Sequence, residues 1–189
     1  MKQKPSRTLL LALIPTIIGM WKVDAQVPDA VDSTRIHRNT IELSPLSPFI
    51  HIYVLQYAFR VSPGDELIAG LSYMNIRYDF GSTHAPAFIA GYRRFVWKNL
   101  HIEYQVWPAY DSFYEKNEGK YYRSFEVWNE LRLGYQFDLD VSGVPAFISV
   151  QWPFGFGLYA SNKPQSFKDH ENENRFFYFP PLLFVGIRF

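Results

Sequence analysis

The sequence has no cysteine, no large excess of charge of either sign, and no long apolar run after its first 25 residues. Without cysteine, an exported protein cannot use disulfides to stabilise a small core. The 19 basic and 18 acidic side chains nearly cancel, so no basic surface suited to nucleic acid is expected. A transmembrane helix needs about 20 consecutive apolar residues. If the mature chain crosses a membrane, it therefore does so as a closed sheet.

Residues 1–25 have the pattern of a secretory signal peptide. A basic start precedes an apolar run that ends at Met20, and Val23-Asp24-Ala25 supplies small residues for cleavage. The run is too short for a membrane span and contains Pro15, which disfavours an uncleaved anchor. We expect cleavage after Ala25 and a flexible polar lead over residues 26–39.

From Thr40 onward, apolar and polar residues alternate in segments that are separated by turn residues, which indicates strands. The predicted strands cover residues 40–46, 49–61, 66–80, 87–97, 100–110, 124–138, 145–159 and 176–189. An even number of strands places both termini at one end, together with the short turns near 62–65, 97–99 and 139–143. The longer loops near 81–86, 114–120 and 160–174 are then at the other end. Whether residues 40–46 join the sheet stays open at this point.

The fifth and sixth segments alternate most clearly, and their pairing can be predicted residue by residue. A hairpin tip near Asn117-Glu118 makes the numbers of paired residues sum to about 235. The predicted pairs are Glu103 with Arg132, Gln105 with Glu130, and Trp107 with Trp128. The charges in the middle of these strands then share one face, opposite the apolar one.

The final segment, Phe176 to Phe189, places Val185, Ile187 and Phe189 on one face and ends on an aromatic residue. Such a strand resembles the terminal signal of bacterial outer-membrane β-barrels, and residues 40–189 resemble the class of small eight-stranded barrels in Gram-negative bacteria. The resemblance implies an all-β fold, an eight-stranded antiparallel up-and-down transmembrane β-barrel. It also implies outer-membrane lipid and the barrel-assembly machinery as partners, the latter through the C-terminal strand. Pro180-Pro181 departs from the pattern, so this strand either pairs only from Leu182 or contains a bulge.

Alternation alone leaves open which face of the barrel is outside. A soluble lipocalin-like barrel would turn the apolar face inward around an apolar ligand. Aromatic residues make up 19% of the chain, which favours a membrane interface. One side chain of the Arg93-Arg94 pair must point outward, and Arg94 lies close enough to a short turn to reach the interface.

The best polar constellation lies on the face opposite the apolar one and comprises Arg93, His101, Glu103, Glu126, Glu130, Arg132 and Arg188. An eight-stranded barrel is only wide enough for side chains. These residues are therefore predicted to neutralise one another as a salt-bridged filling of the barrel, rather than to line a pore or a catalytic site. The predicted role is structural or surface interaction, without enzymatic activity.

An outer-leaflet lipid-modifying enzyme is the alternative function. Asp111-Ser112 and His84 could supply a nucleophile and a base, and some barrels that resemble this chain act on lipid A with a His and a Ser. No family motif matches these residues. His51 and His101 lack partners at metal-ligand spacing, so no metal or cofactor is expected. The polar loop Ser161 to Asn174 is the first candidate to bind an extracellular ligand.

Overall fold

A computed structural model of the protein describes residues 37–174, 176–178 and 180–189. The predicted signal peptide and residues 26–36 of the lead lie outside these ranges. The described strands are β1 (Asn39–Leu43), β2 (Ile52–Ser62), β3 (Asp65–Tyr78), β4 (Gly81–Trp97), β5 (Leu100–Glu115), β6 (Lys120–Val141), β7 (Val144–Ala160), β8 (Phe177–Tyr178) and β9 (Leu182–Arg188). A 3-10 helix covers Ser47–Ile50, and helix α1 covers Gln165–Glu173.

The strands form one antiparallel sheet that closes into a ring. Successive strands pair from β1 to β7, and β9 lies between β7 and β1. The short strand β8 also pairs with β7, but its register differs by one residue from that of β9. Together β8 and β9 form the eighth position of the ring, with an irregularity at Pro180-Pro181. The predicted eight-stranded antiparallel barrel is confirmed, and β1 belongs to it.

The two ends of the barrel differ. At one end, here called the turn end, the chain reverses within residues 63–64, 98–99 and 142–143, and the amide of Asn39 donates to the carbonyl of Phe189 over 3.1 Å. The other end, here called the helix end, carries α1, the 3-10 helix and the turn at 116–119. The predicted placement of short turns and described termini at one end is therefore confirmed.

Of the loops predicted at the helix end, 81–86 is wrong, and 160–174 connects two strands as predicted but contains a helix. Residues 81–86 belong to β4, which follows β3 after the two-residue turn 79–80. Gly81 and Pro86 suggested a loop, but Gly81 is needed for close packing, because a Cβ there would lie 2.1 Å from the carbonyl oxygen of Tyr114. Pro86 sits in register opposite Tyr73. The predicted polar loop 160–174 contains α1.

Side chains alternate between the two faces of the wall as predicted. Large apolar residues such as Leu71, Leu133 and Trp152 are more than half exposed on the outside. Arg93 and Glu103 point inward and are 0% exposed. The apolar face is therefore the outer one, which is the reverse of the arrangement in a barrel built around an apolar ligand.

Helix α1 is short and has one buried residue, Phe167. Among the described parts of the chain, no helix combines the length and the apolar character needed to span a membrane.

Candidate functional site

The centre of the barrel is organised around the guanidinium of Arg93 on β4. It donates to Glu42 on β1 (2.6 Å), to Glu66 on β3 (3.2 Å) and to Glu103 on β5 (2.5 Å). The planar guanidinium has five N–H donors in a fixed arrangement, which allows one arginine to serve several carboxylates. Arg93 therefore connects strands from different parts of the ring across the lumen.

Arg132 on β6 forms the second part of this network. It approaches Glu103 to 3.3 Å and Glu130 to 2.6 Å, and donates to the amide oxygen of Gln151 over 3.2 Å. Its guanidinium also lies 5.7 Å from the ring centre of Trp107. The predicted pairs Glu103 with Arg132, Gln105 with Glu130, and Trp107 with Trp128 are all confirmed.

Glutamine side chains fill the space that the charges leave. The amide of Gln56 donates to Gln105 over 3.3 Å, and the amide of Gln105 donates to Glu103 over 2.5 Å. The indole of Trp107 donates to Gln105 over 2.8 Å. We call this set the plug; its members are Glu42, Gln56, Glu66, Arg93, Glu103, Gln105, Glu130, Arg132 and Gln151. The plug crosses the middle of the lumen from wall to wall.

Three residues of the predicted polar cluster are not members of the plug. Arg188 is at the turn end, where it donates to Asp138 over 2.6 Å. His101 packs near the same end against Phe95, with ring centres 5.3 Å apart. Glu126 lies at the helix end. All three point inward as the alternation requires. Arg188 and Glu126 lie towards opposite ends of the barrel, whereas His101 is two residues from Glu103 on the same face of β5 and lies beside the charges of Arg93 and Glu103.

Three residues that matter in the lumen were missed by the sequence interpretation. Glu42 lies between Ile41 and Leu43. The alternation of apolar and polar residues would have placed Glu42 on the inner face if residues 40–46 had been counted as a barrel strand. Glu66 begins a predicted strand, where a charge is usually exposed. Lys163 stands in a polar loop and gave no signal, yet it is only 6% exposed.

Lys163 and α1 close the helix end of the lumen, and we call residues 161–174 the lid. The ammonium of Lys163 lies 3.1 Å from Glu126 on β6 and 2.7 Å from Glu171 in α1. Phe167 inserts between the rings of Phe80 and Phe113, with ring centres 4.9 and 4.6 Å away. An aromatic anchor and a buried cation are therefore among the contacts that hold the lid, together with a hydrogen bond from Ser166 to Glu115.

A cavity of about 130 Å³ lies between the plug and the lid. Its apolar side is formed by inward residues of β2, β3 and β4, namely Ile52, Val54, Met74, Ile76 and Ala85. Its other side is mixed, with Trp107, Trp128, Asp111, Glu126 and Asn129. The Oδ1 atom of Asn129 is buried and makes no hydrogen bond to the described residues. The lumen is thus tightly filled in its middle and partly empty beneath the lid.

The residues of the proposed nucleophile and base are divided between the two faces of the wall. His84 and Ser112 are register partners on the outer face, and Nδ1 of His84 lies 3.0 Å from the hydroxyl of Tyr73. Asp111 points into the lumen, where Thr83 donates to it. Neighbouring residues of a strand face opposite sides, so Asp111 cannot orient His84. Of the residues considered for this alternative, His84 and Ser112 lie together and Asp111 does not.

Within the ranges that the structure describes, no group of three or more His, Cys, Asp or Glu side chains could hold a metal ion. Comparisons of the chain with protein-family models, with curated proteins and with solved structures found no match.

Proposed function

We propose that this chain is an integral outer-membrane β-barrel with a sealed lumen and a structural or surface-interaction role. The observation that carries the proposal is the distribution of its side chains: a continuous apolar outer wall surrounds buried ion pairs. Water-soluble monomers rarely expose apolar patches of more than a few hundred Å². A bilayer removes this cost, because the outer wall then contacts lipid.

The placement of outward charges supports the same proposal. Arg94 points outward close to the turn end, where it remains 34% exposed and lies 3.9 Å from Asp65. A lipid-facing arginine costs about 2 to 4 kcal/mol at the bilayer midplane but only about 0 to 1 near an interface. The oppositely charged and fully buried Arg93 and Glu103 are inside, where each has partners.

The plug supports a sealed barrel rather than a pore. Open aqueous channels belong to barrels of about 16 strands or more, whereas eight strands leave room only for side chains. With the helix end on the extracellular side, the lid is the surface offered to partners, and its exposed residues include Lys168, Asp169 and Glu173. The terminal strand, with Val185, Ile187 and Phe189, is the segment through which we propose that the assembly machinery engages the chain.

Cell fractionation combined with gel mobility tests the proposal. We expect the protein in the outer-membrane fraction, with an SDS-gel band that shifts when the sample is boiled, because a closed hydrogen-bonded barrel resists SDS until heated. A soluble periplasmic protein whose mobility does not change on boiling would contradict it.

An outer-leaflet lipid-modifying enzyme is the second candidate, favoured by one observation. His84 and Ser112 are adjacent on the outer wall near the helix end, where a lipid ester could reach them. A serine nucleophile needs a base within hydrogen-bond reach. Ser112→Ala and His84→Ala should then change the lipid A composition of cells, whereas Ser82→Ala on the same strand pair should not. Unchanged lipid A in the first two variants disposes of this candidate.

A further inference from the structure

The barrel wall has a gap in its strand pairing beside the cavity. Pairing of β1 with β2 stops at Leu43 opposite Leu55, and pairing of β1 with β9 stops at Leu43 opposite Val185. Beyond that point, Ile52–Val54 pair only with β3 and Leu182–Phe184 pair only with β7 among the described residues. We call this gap between β2 and β9 the seam.

The seam is covered by a segment without strand pairing, residues 44–51. The segment bonds to itself, from the amide of Phe49 to the carbonyl of Leu46 (3.1 Å) and from the amide of His51 to the carbonyl of Pro48 (3.0 Å). Prolines lack the amide that a strand ladder needs, and they stand on both sides of the seam. They are Pro45, Pro48, Pro180 and Pro181. A continuous ladder of backbone hydrogen bonds therefore cannot form across this part of the wall.

Residues from both sides of the seam also line the cavity. They include Ser47 and Ile50 of the covering segment, Ile52 of β2 and Leu182 of β9. The exposed residues of the segment are apolar except for His51, and Phe49 is 83% exposed there. The cavity is thus separated from the outer wall at this point by one short 3-10 helix rather than by paired strands.

From these observations we infer that the cavity binds an alkyl segment of a membrane lipid, which enters sideways through the seam. The inference rests on the proposed function, because it needs lipid at the outer wall. An engineered cavity of about 150 Å³ lined by apolar side chains binds benzene, so about 130 Å³ accommodates an apolar group of roughly six carbon atoms. The apolar side formed by Ile52, Val54 and Met74 contacts this group, and Asn129 Oδ1 accepts a hydrogen bond from a hydroxyl group or a water beside it.

Tryptophan quenching by brominated lipid tests the inference, because bromine quenches an indole only at short range. Trp107 lines the cavity and is 5% exposed, whereas Trp152 is 58% exposed on the outer wall. Two proteins are made in which the other tryptophans are phenylalanine, one that retains Trp107 and one that retains Trp152. Each is reconstituted into phosphatidylcholine vesicles with dibrominated acyl chains. We expect both tryptophans to be quenched.

A matched pair of variants separates a chain inside the cavity from quenching through the wall. Val54→Phe places a ring in the cavity and should abolish quenching of Trp107, whereas Leu55→Phe adds the same ring outside and should leave it unchanged. Ile52→Phe serves as a second filling variant, and the gel shift on boiling confirms that each variant is folded. If Trp107 is still quenched in both filling variants, the bromine acts on it through the barrel wall and not from inside the cavity. That result overturns the inference.

The remaining outcomes separate the inference from the proposed function. Quenched Trp152 with unquenched Trp107 shows a barrel in lipid whose cavity takes no chain, so the inference alone fails. If neither is quenched, the barrel is not in the bilayer and the proposed function fails with it. Quenching of Trp107 by a short water-soluble bromoalkanoate, but not by brominated lipid, overturns the lateral route, because the ligand then enters past the lid.

Discussion

The middle of the lumen and the space beneath the lid share one wall but are filled differently. In the middle, long side chains such as Arg93 and Arg132 reach across the barrel and donate hydrogen bonds to side chains of other strands. Beneath the lid, the inward positions of β2 and β3 hold Val54 and Met74, and a cavity of about 130 Å³ remains. The filling of a narrow barrel therefore depends on side-chain length and partners, and not on strand number alone.

The two regions also differ in what keeps them in place. A buried charge is tolerated only with well-placed partners, so each member of the plug constrains the others. Apolar residues around a cavity need no such partners and leave neighbouring groups free to shift. We therefore expect substitutions in the plug to have large effects on stability and substitutions around the cavity to have small ones.

The largest expected effect is that of Arg93→Met. The change leaves Glu42, Glu66 and Glu103 buried near one another without the cation that holds them. Removing one partner of a buried ion pair costs about 3 to 5 kcal/mol. The free energy of unfolding in urea, followed in lipid vesicles by the gel shift, should fall by that amount.

Arg94→Met is the matched control for this variant. Arg94 is the next residue along β4, points outward and is 3.9 Å from its partner Asp65. An exposed pair of this kind contributes less than about 1 kcal/mol. If the free energy of unfolding falls equally in the two variants, the plug does not stabilise the barrel more than a surface ion pair does.

The effect of Phe167→Ala should be confined to the lid, so the free energy of unfolding of the whole barrel should fall less than in Arg93→Met. Truncating a buried phenylalanine costs about 3 to 5 kcal/mol. Here that cost lowers the free energy with which α1 docks onto Phe80 and Phe113. Trypsin should then cleave at Lys168, while the barrel still shifts on boiling. Phe49→Ala, at an exposed phenylalanine, should leave lid cleavage as slow as in the unchanged protein. Cleavage at the same rate in both variants contradicts the role of Phe167 as anchor.

The smallest effects compare one added methyl group in the two regions. Ser149 is 0% exposed beside Gln151, so Ser149→Thr overpacks the filled part of the lumen and should lower the free energy of unfolding by about 1 to 3 kcal/mol. Val54→Ile adds its methyl group to the cavity and should raise that free energy by less than about 1 kcal/mol. Urea unfolding of the two variants side by side measures the difference, and a larger loss for Val54→Ile would show that the cavity is not free space.

Much of the wall could be predicted from the sequence, because period-two alternation and turn position fix both face and register. The pair Glu103 with Arg132 followed from the position of one hairpin tip. Pro86 and Gly81 misled the prediction, since both are turn residues in general, but here one occupies a strand position and the other allows close packing.

The contents of the lumen were less predictable, because contacts across a ring join residues that are distant in the sequence. The contact between Arg93 and Glu42 spans 51 positions and needs the closed barrel to exist. The lid has no apolar periodicity, and Phe167 alone hinted that it packs. The seam exists because β1 ends at Leu43. Pro45 and Pro48 indicate in the sequence that a strand breaks there, but they give no information about the cavity beneath.

The measurement that tests the account most directly is the accessibility of spin labels on the outer wall in lipid vesicles. The chain has no cysteine, so single cysteines can be introduced without removing any. Labels at Leu55, Leu71 and Leu133 should collide with oxygen, which concentrates in lipid, and be shielded from a water-soluble nickel reagent. A label at the exposed Lys168 of the lid should show the reverse. Nickel collisions at the three wall positions as frequent as at Lys168 would contradict the placement of this wall against lipid.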